Sequence, residues 1–119
     1  MEPLTKAEER VMQALWDLKT AFVKDVIAKL TDEPKPPYNT ISSVVRQLEK
    51  KGYVGYKAYG KTYEYFPLIT KSAYRKNAFF KLFTNYFDHS AEALLSFMVK
   101  EKSLTAKELK EIKKLIDKQ

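Results

Sequence analysis

Residues 39–66 read NTISSVVRQLEKKGYVGYKAYGKTYEYF, and a change of period inside this stretch decides the fold. In its first half Ile41, Val44, Val45 and Leu48 fall at i, i+3, i+4 and i+7, the spacing of one buried helical face. Gly52 follows Lys50 and Lys51; a glycine there supplies a left-handed cap, and the two lysines suit the negative end of the helix dipole. From Tyr53 the period becomes 2. Tyr53 to Tyr59 and Thr62 to Phe66 are aromatic-rich segments separated by Gly60-Lys61, which predicts two antiparallel strands and a tight turn. Pro67 lacks the N–H needed inside a sheet and marks the end of the second strand.

Two more helices are expected upstream. Thr5 and Glu8 have the spacing of a capping box, and Val11, Ala14, Leu15 and Leu18 line one face of a helix from about Lys6 to Leu18. Val23, Val26, Ile27 and Leu30 repeat the pattern. The segment Asp32 to Pro37, with prolines at 34, 36 and 37, must be a loop. Downstream of about Thr70 the chain reads as all-helical, with a second capping box at Thr105 and Glu108. Its apolar load is heavy for so short a segment. Phe79, Phe80, Phe83, Phe87, Leu94, Leu95, Phe97, Met98, Leu109, Ile112, Leu115 and Ile116 are therefore expected to be buried against a second copy of the chain.

Three helices followed by a hairpin is the element order of a winged helix-turn-helix. The sequence thus predicts a mainly α protein, with a winged-helix DNA-binding domain over residues 1–69 and a helical dimerisation domain over 70–119. The 119 residues leave no room for a large enzyme. There is no Cys, which rules out disulfides and thiolate metal sites. No apolar run approaches the ~20 residues of a membrane span, and the polar first ten residues do not resemble a signal peptide, so a cytoplasmic protein without membrane contact is expected. His89 stands beside Asp88 and Ser90, but a catalytic triad converges from separate elements, so this histidine reads as a helix-end or surface residue. Asp25, Asp32 and Glu33 lack metal-ligand spacing. No catalytic residue, metal or cofactor is expected.

The formal net charge is +7. Nearly all of the excess lies in one block: residues 46–81 hold nine Lys/Arg against Glu49 and Glu64, while the segments before and after are close to neutral. A block of this kind suits a polyanion, double-stranded DNA above all. At about 100° per residue, Asn39, Ser43, Arg46 and Lys50 lie opposite the apolar face of the third helix. Asn and Arg can form paired hydrogen bonds with base edges, and the small Ser42 and Ser43 let the backbone approach the groove floor. Lys50 and Lys51 suit phosphates. In the hairpin, Lys57, Lys61 and Tyr63 are the candidates for backbone contact. Any surface helix has a polar face, and tyrosines are ordinary strand formers, so the stripe and the hairpin do not decide the matter by themselves.

Three segments carry a resemblance: Leu4 to Trp16 (LTKAEERVMQALW), Asn39 to Val54 and Tyr63 to Leu68 (YEYFPL). Together they resemble the penicillinase repressor family of BlaI, MecI and CopY type. The resemblance covers essentially the whole chain. It implies a transcriptional repressor that acts as a homodimer on a palindromic operator in a stress- or antibiotic-responsive system, with Asn39, Thr40, Ser42, Ser43 and Arg46 at the groove-reading positions. Typical members are more basic at the start of that helix, so an operator sequence does not carry over. Antibiotic-responsive members are cut at an Asn-Phe bond, which implies an upstream sensor or protease as a partner; the matching position here is Ser96-Phe97. Copper-responsive members use C-terminal cysteines, which this chain lacks. The rival reading is a winged-helix protein-interaction module without specific DNA binding, which would not need the charge block, and a weaker rival is an RNA-binding winged helix that stacks bases on its tyrosines.

Overall fold

The computed structural model describes residues 1–117, with side chains as far as Leu115 in the last helix; Ile116 therefore lies outside the described side chains. The chain divides into two compact units, Met1–Tyr74 and the residues from Arg75 onward.

The first unit contains α1 (Lys6–Leu18), α2 (Val23–Lys29), α3 (Tyr38–Lys50), β1 (Val54–Tyr59) and β2 (Thr62–Pro67), and α4 (Lys71–Phe87) begins in it. The apolar stripes expected from the sequence meet in one core: Val11, Met12 and Leu15 from α1, Val23 and Val26 from α2, and Ile41, Val45 and Leu48 from α3 are all buried. Tyr53, Val54 and Tyr65 close it from the hairpin side. α3 starts at Tyr38, directly after Pro37. Tyr53 precedes β1, because its N–H bonds the Leu48 carbonyl while its own carbonyl accepts from Leu68.

The strands pair antiparallel in the register Tyr56↔Tyr65, Ala58↔Tyr63 and Tyr59↔Thr62, joined by Gly60-Lys61. Gly60 has φ 62° and Lys61 is not among the positive-φ residues, which fits a two-residue turn with glycine in its first central position. A third element pins the hairpin. The Ala21 N–H bonds the Tyr65 carbonyl at 2.9 Å and the Tyr65 N–H bonds the Ala21 carbonyl at 2.8 Å, so the turn after α1 pairs with the free edge of β2. In that same turn Lys19 takes φ 71° and ψ −50°, a region an L-residue rarely enters, and donates its N–H to the Leu15 carbonyl. At the other end, the Trp16 indole N–H bonds the Ile69 carbonyl at 2.9 Å, and Tyr74 packs against both Trp16 and Tyr53. The first turn of α4 is thereby fixed to the winged-helix core.

In the second unit α5 (Ala91–Lys100) and α6 (Ala106–Asp117) follow α4. Ser90 caps α5, and Thr105 with Glu108 forms the expected box at α6. His89 sits in the turn between α4 and α5, next to Asp88; both have positive φ, and its ring bonds the Thr84 hydroxyl at 3.0 Å. Ser96 and Phe97 are exposed in the middle of α5. Among the described residues of this unit only Leu104 is buried within the chain.

Glu8 is the one buried charged residue of the first unit. Its carboxylate accepts from the Thr5 N–H at 2.8 Å and from the Lys51 ammonium at 2.6 Å. Burial alone would push this carboxyl up, but the bonds from Lys51 and Thr5 outweigh it and hold the group below its ordinary 4.5. A carboxyl held low binds its proton more weakly folded than unfolded. Its stabilisation is therefore complete above the ordinary value and is lost as pH falls through the lowered one. Glu8→Gln should cost about 1–3 kcal/mol at neutral pH. Urea melts should show the gap between variant and parent closing as pH falls below the ordinary carboxylate range; a gap independent of pH would mean that the charge contributes nothing.

Candidate nucleic-acid interface

The outward face of α3 is set by the inward one. With Ile41, Val45 and Leu48 held in the core, Asn39, Thr40, Ser43, Arg46 and Lys50 are exposed and Ser42 is half-buried. The Arg46 Nε donates to the Ser42 carbonyl one turn back at 3.4 Å, a long bond that leaves the terminal nitrogens of the guanidinium available. Among the described residues there are two ion pairs, Arg10 with Asp32 and Lys51 with Glu8, and neither uses Arg46, Lys50, Lys57 or Lys61.

The lysines at 50 and 51 are equivalent in the sequence but not in space. Lys50 is exposed, whereas Lys51 turns towards α1, where its ammonium bonds Glu8 and, at 3.0 Å, the Pro3 carbonyl. Tyr53 bonds the Glu2 carbonyl beside it. Lys51, expected from the sequence to face phosphate, is thus engaged in holding α3 to the N-terminal segment.

On the hairpin, Tyr56 and Tyr63 stack at 4.5 Å with 19° between planes, and Tyr63 meets Tyr65 edge-on at 6.4 Å. Lys57 stands across from Glu64 and its ammonium lies 5.3 Å from the Tyr59 ring centroid, a cation–π distance. Lys61 is exposed at the tip. Tyr65 is buried; burial and the nearby Glu49 push its phenol up, against a smaller opposing effect of Arg46, so it stays a neutral donor.

Between α3 and this hairpin lies a cleft of about 490 Å³. It brings together Asn39, Ser42, Arg46, Lys61 and Tyr63 of the residues singled out from sequence; Thr40, Ser43, Lys50, Lys51 and Lys57 do not line it. Phe22, Lys24, Tyr38 and Tyr65 also line it and escaped the sequence reading. Tyr38 could have been found, because it shares a row with Ser42 and Arg46 at i, i+4 and i+8 once Pro37 is taken as the residue before the helix. Phe22 and Lys24 reach the cleft through the pairing of Ala21 with Tyr65, which no local pattern announces. Among the described residues no group of three or more His, Cys, Asp or Glu could hold a metal ion, and no helix is long and apolar enough to cross a membrane.

Residues 4–118 match the sequence pattern of the penicillinase repressor family. The chain belongs to that family. Penicillinase repressors are transcriptional repressors rather than enzymes, and the three helices with a wing described above are their DNA-binding architecture. The chain is similar to the methicillin resistance regulatory protein MecI of Staphylococcus aureus strain N315 and of Staphylococcus epidermidis, each 26% identical over 97% of this chain and 94% of theirs. Among solved structures it is similar to the DNA-binding domain of the repressor BlaI, with a TM-score of 0.52 and 27% identity over 62% of this chain and 94% of that one.

The contrast between neighbouring lysines can be measured without DNA. Lys51→Met should lower stability by about 1–3 kcal/mol by stranding Glu8, whereas Lys50→Met should stay within about 0.5 kcal/mol of the parent. Thermal unfolding of both variants at neutral pH decides it, and equal melting temperatures would remove the structural role of Lys51.

Proposed function

We propose that this penicillinase repressor-family chain is a sequence-specific DNA-binding repressor that acts as a homodimer on a palindromic operator. The observation that carries the reading is the face of α3, where Asn39, Ser43, Arg46 and Lys50 stand exposed, apart from any ion pair and next to a wing tipped by Lys61. Asn39 and Arg46, with Thr40, Ser42 and Ser43 around them, are assigned to base edges. Lys50, Lys57, Lys61 and Tyr63 are assigned to the phosphate backbone; Lys51 is withdrawn from that set because Glu8 occupies it. DNA binding is assigned to residues 1–69 and self-association to 70–119. Likeness to regulators of methicillin resistance supports control of a stress- or antibiotic-responsive gene, with an upstream sensor or protease as the releasing partner.

The dimer rests on the second unit. Phe79, Leu82 and Tyr86 fall at i, i+3 and i+7 on α4, and all three are exposed, Tyr86 at 78%. Phe80, Phe97 and Leu115 are exposed as well, while Phe83, Phe87, Leu94, Leu95, Met98, Leu109 and Ile112 are only half-buried. Apolar surface on this scale belongs in an interface. A second copy covers it with the same surface, and the two-fold axis so created calls for a two-fold symmetric operator. Repression then follows from occupying a promoter in competition with the transcription machinery.

Selection of bound sequences from random duplex DNA tests the reading: a palindromic motif is expected, and salt-sensitive binding without an enriched sequence would reduce the chain to a general nucleic-acid binder. Against the selected duplex, Arg46→Ala should cost about 1–3 kcal/mol and relax preference at one base position, and Lys50→Ala should weaken all sequences alike and lower the salt slope by about 1. Unchanged affinity in both would remove α3 as the reading element. Sedimentation should find the parent dimeric and the double variant Phe79→Glu, Tyr86→Glu monomeric; a monomeric parent would sink the dimer.

A further inference from the structure

We propose that the cleft between α3 and the wing binds a small planar aromatic anion, and that this ligand competes with DNA for Arg46 and Lys61; the competition, though not the binding, rests on the DNA-binding reading above. At about 490 Å³ the cleft has the size of a small-molecule site, for which roughly 300–1,000 Å³ is usual.

Its lining has two chemistries. One is aromatic: Phe22, Tyr38, Tyr63 and Tyr65. Tyr38 and Tyr63 are exposed and offer ring surface for a planar ligand to stack on, in a corner whose floor is the buried Tyr65, at 70° to Tyr63. The corner is preformed, since Tyr65 is buried and doubly bonded to Ala21, and Tyr63 is stacked on Tyr56. The other chemistry is cationic: Lys24, Arg46 and Lys61, none of them in an ion pair among the described residues. No carboxylate lines the cleft; Glu49 influences Tyr65 from outside the lining.

Duplex DNA accounts for the cations but leaves the aromatic corner unused. Its bases are stacked and present edges and phosphates, so a concave set of aromatic faces finds no ring there. A free aromatic acid satisfies both halves at once, with its ring against the tyrosines and its charge on Arg46 or a lysine. The acid group can be an aryl carboxylate or the phosphate of a nucleotide.

The test titrates the isotope-labelled full chain with 2-naphthoate, with thymidine 5′-monophosphate and with the uncharged 2-naphthalenemethanol, following backbone amide shifts. Saturable shifts confined to residues 21–24, 38–46 and 61–65 are expected with a Kd below about 1 mM for at least one anion, and at least about tenfold weaker binding of the alcohol. Tyr38 is exposed, so Tyr38→Ala leaves the core intact and should weaken the anion by about tenfold. No saturation by either anion up to about 10 mM, shifts elsewhere, or an unaltered Kd in Tyr38→Ala would overturn the site. In a parallel titration the anion should displace the selected duplex; simultaneous binding of both would overturn the competition. Anion binding by a chain that binds no duplex would sink the repressor reading and leave the site standing, whereas duplex binding without anion binding would sink the site alone.

Discussion

Two backbone hydrogen bonds between Ala21 and Tyr65 tie the wing to the turn after α1. A two-stranded hairpin is marginal by itself in water, and here it gains a third pairing element on the β2 edge. That pairing buries Tyr65, brings Phe22 and Lys24 beside the wing, and fixes the distance between wing and α3. Without it α3 would still present its polar face, because its inward face is fixed by Ile41, Val45 and Leu48, and the hairpin would keep its anchors at Tyr53 and Val54 but lose the contact on the β2 edge. The cleft and the placement of Lys61 and Tyr63 both follow from this contact.

The elements were legible because each is announced locally. The Thr5 and Glu8 pair, the apolar spacing of α1 and α3, and the shift to period 2 at Tyr53 are patterns a few residues long, and the structure forms helices and strands there within a residue or two. What could not be read depends on partners far along the chain. Nothing local separates Lys50 from Lys51, yet the second finds a carboxylate 43 residues away. Trp16 looks like a core aromatic, and only the structure reveals its indole bonded to the Ile69 carbonyl, with Tyr74 packed against its ring. The face of α3 was therefore visible from sequence and the concave space beside it was not.

The two units treat apolar surface differently. The first turns its stripes inward and, Glu8 apart, leaves its charged residues outside the core. The second has comparable aromatic content but too few converging faces, so Phe79 on α4 meets its own helix neighbours, Phe80 edge to face and Phe83 in a stack. Tyr74 marks where one regime gives way to the other, since it is the part of α4 that packs, half-buried, against the core of the first unit.

The Glu8 cluster also bears on how such a sequence can change over time. One carboxylate caps its own helix through the Thr5 backbone N–H and neutralises Lys51 at the far end of α3, so loss of Glu8 or Lys51 strands the other, whereas a new side chain at position 5 leaves the carboxylate its backbone donor. Positions 8 and 51 are thereby expected to change together. A single change at either is penalised, whereas the exposed Lys50 and Ser43 form no ion pair among the described residues and tolerate substitution without loss of the fold.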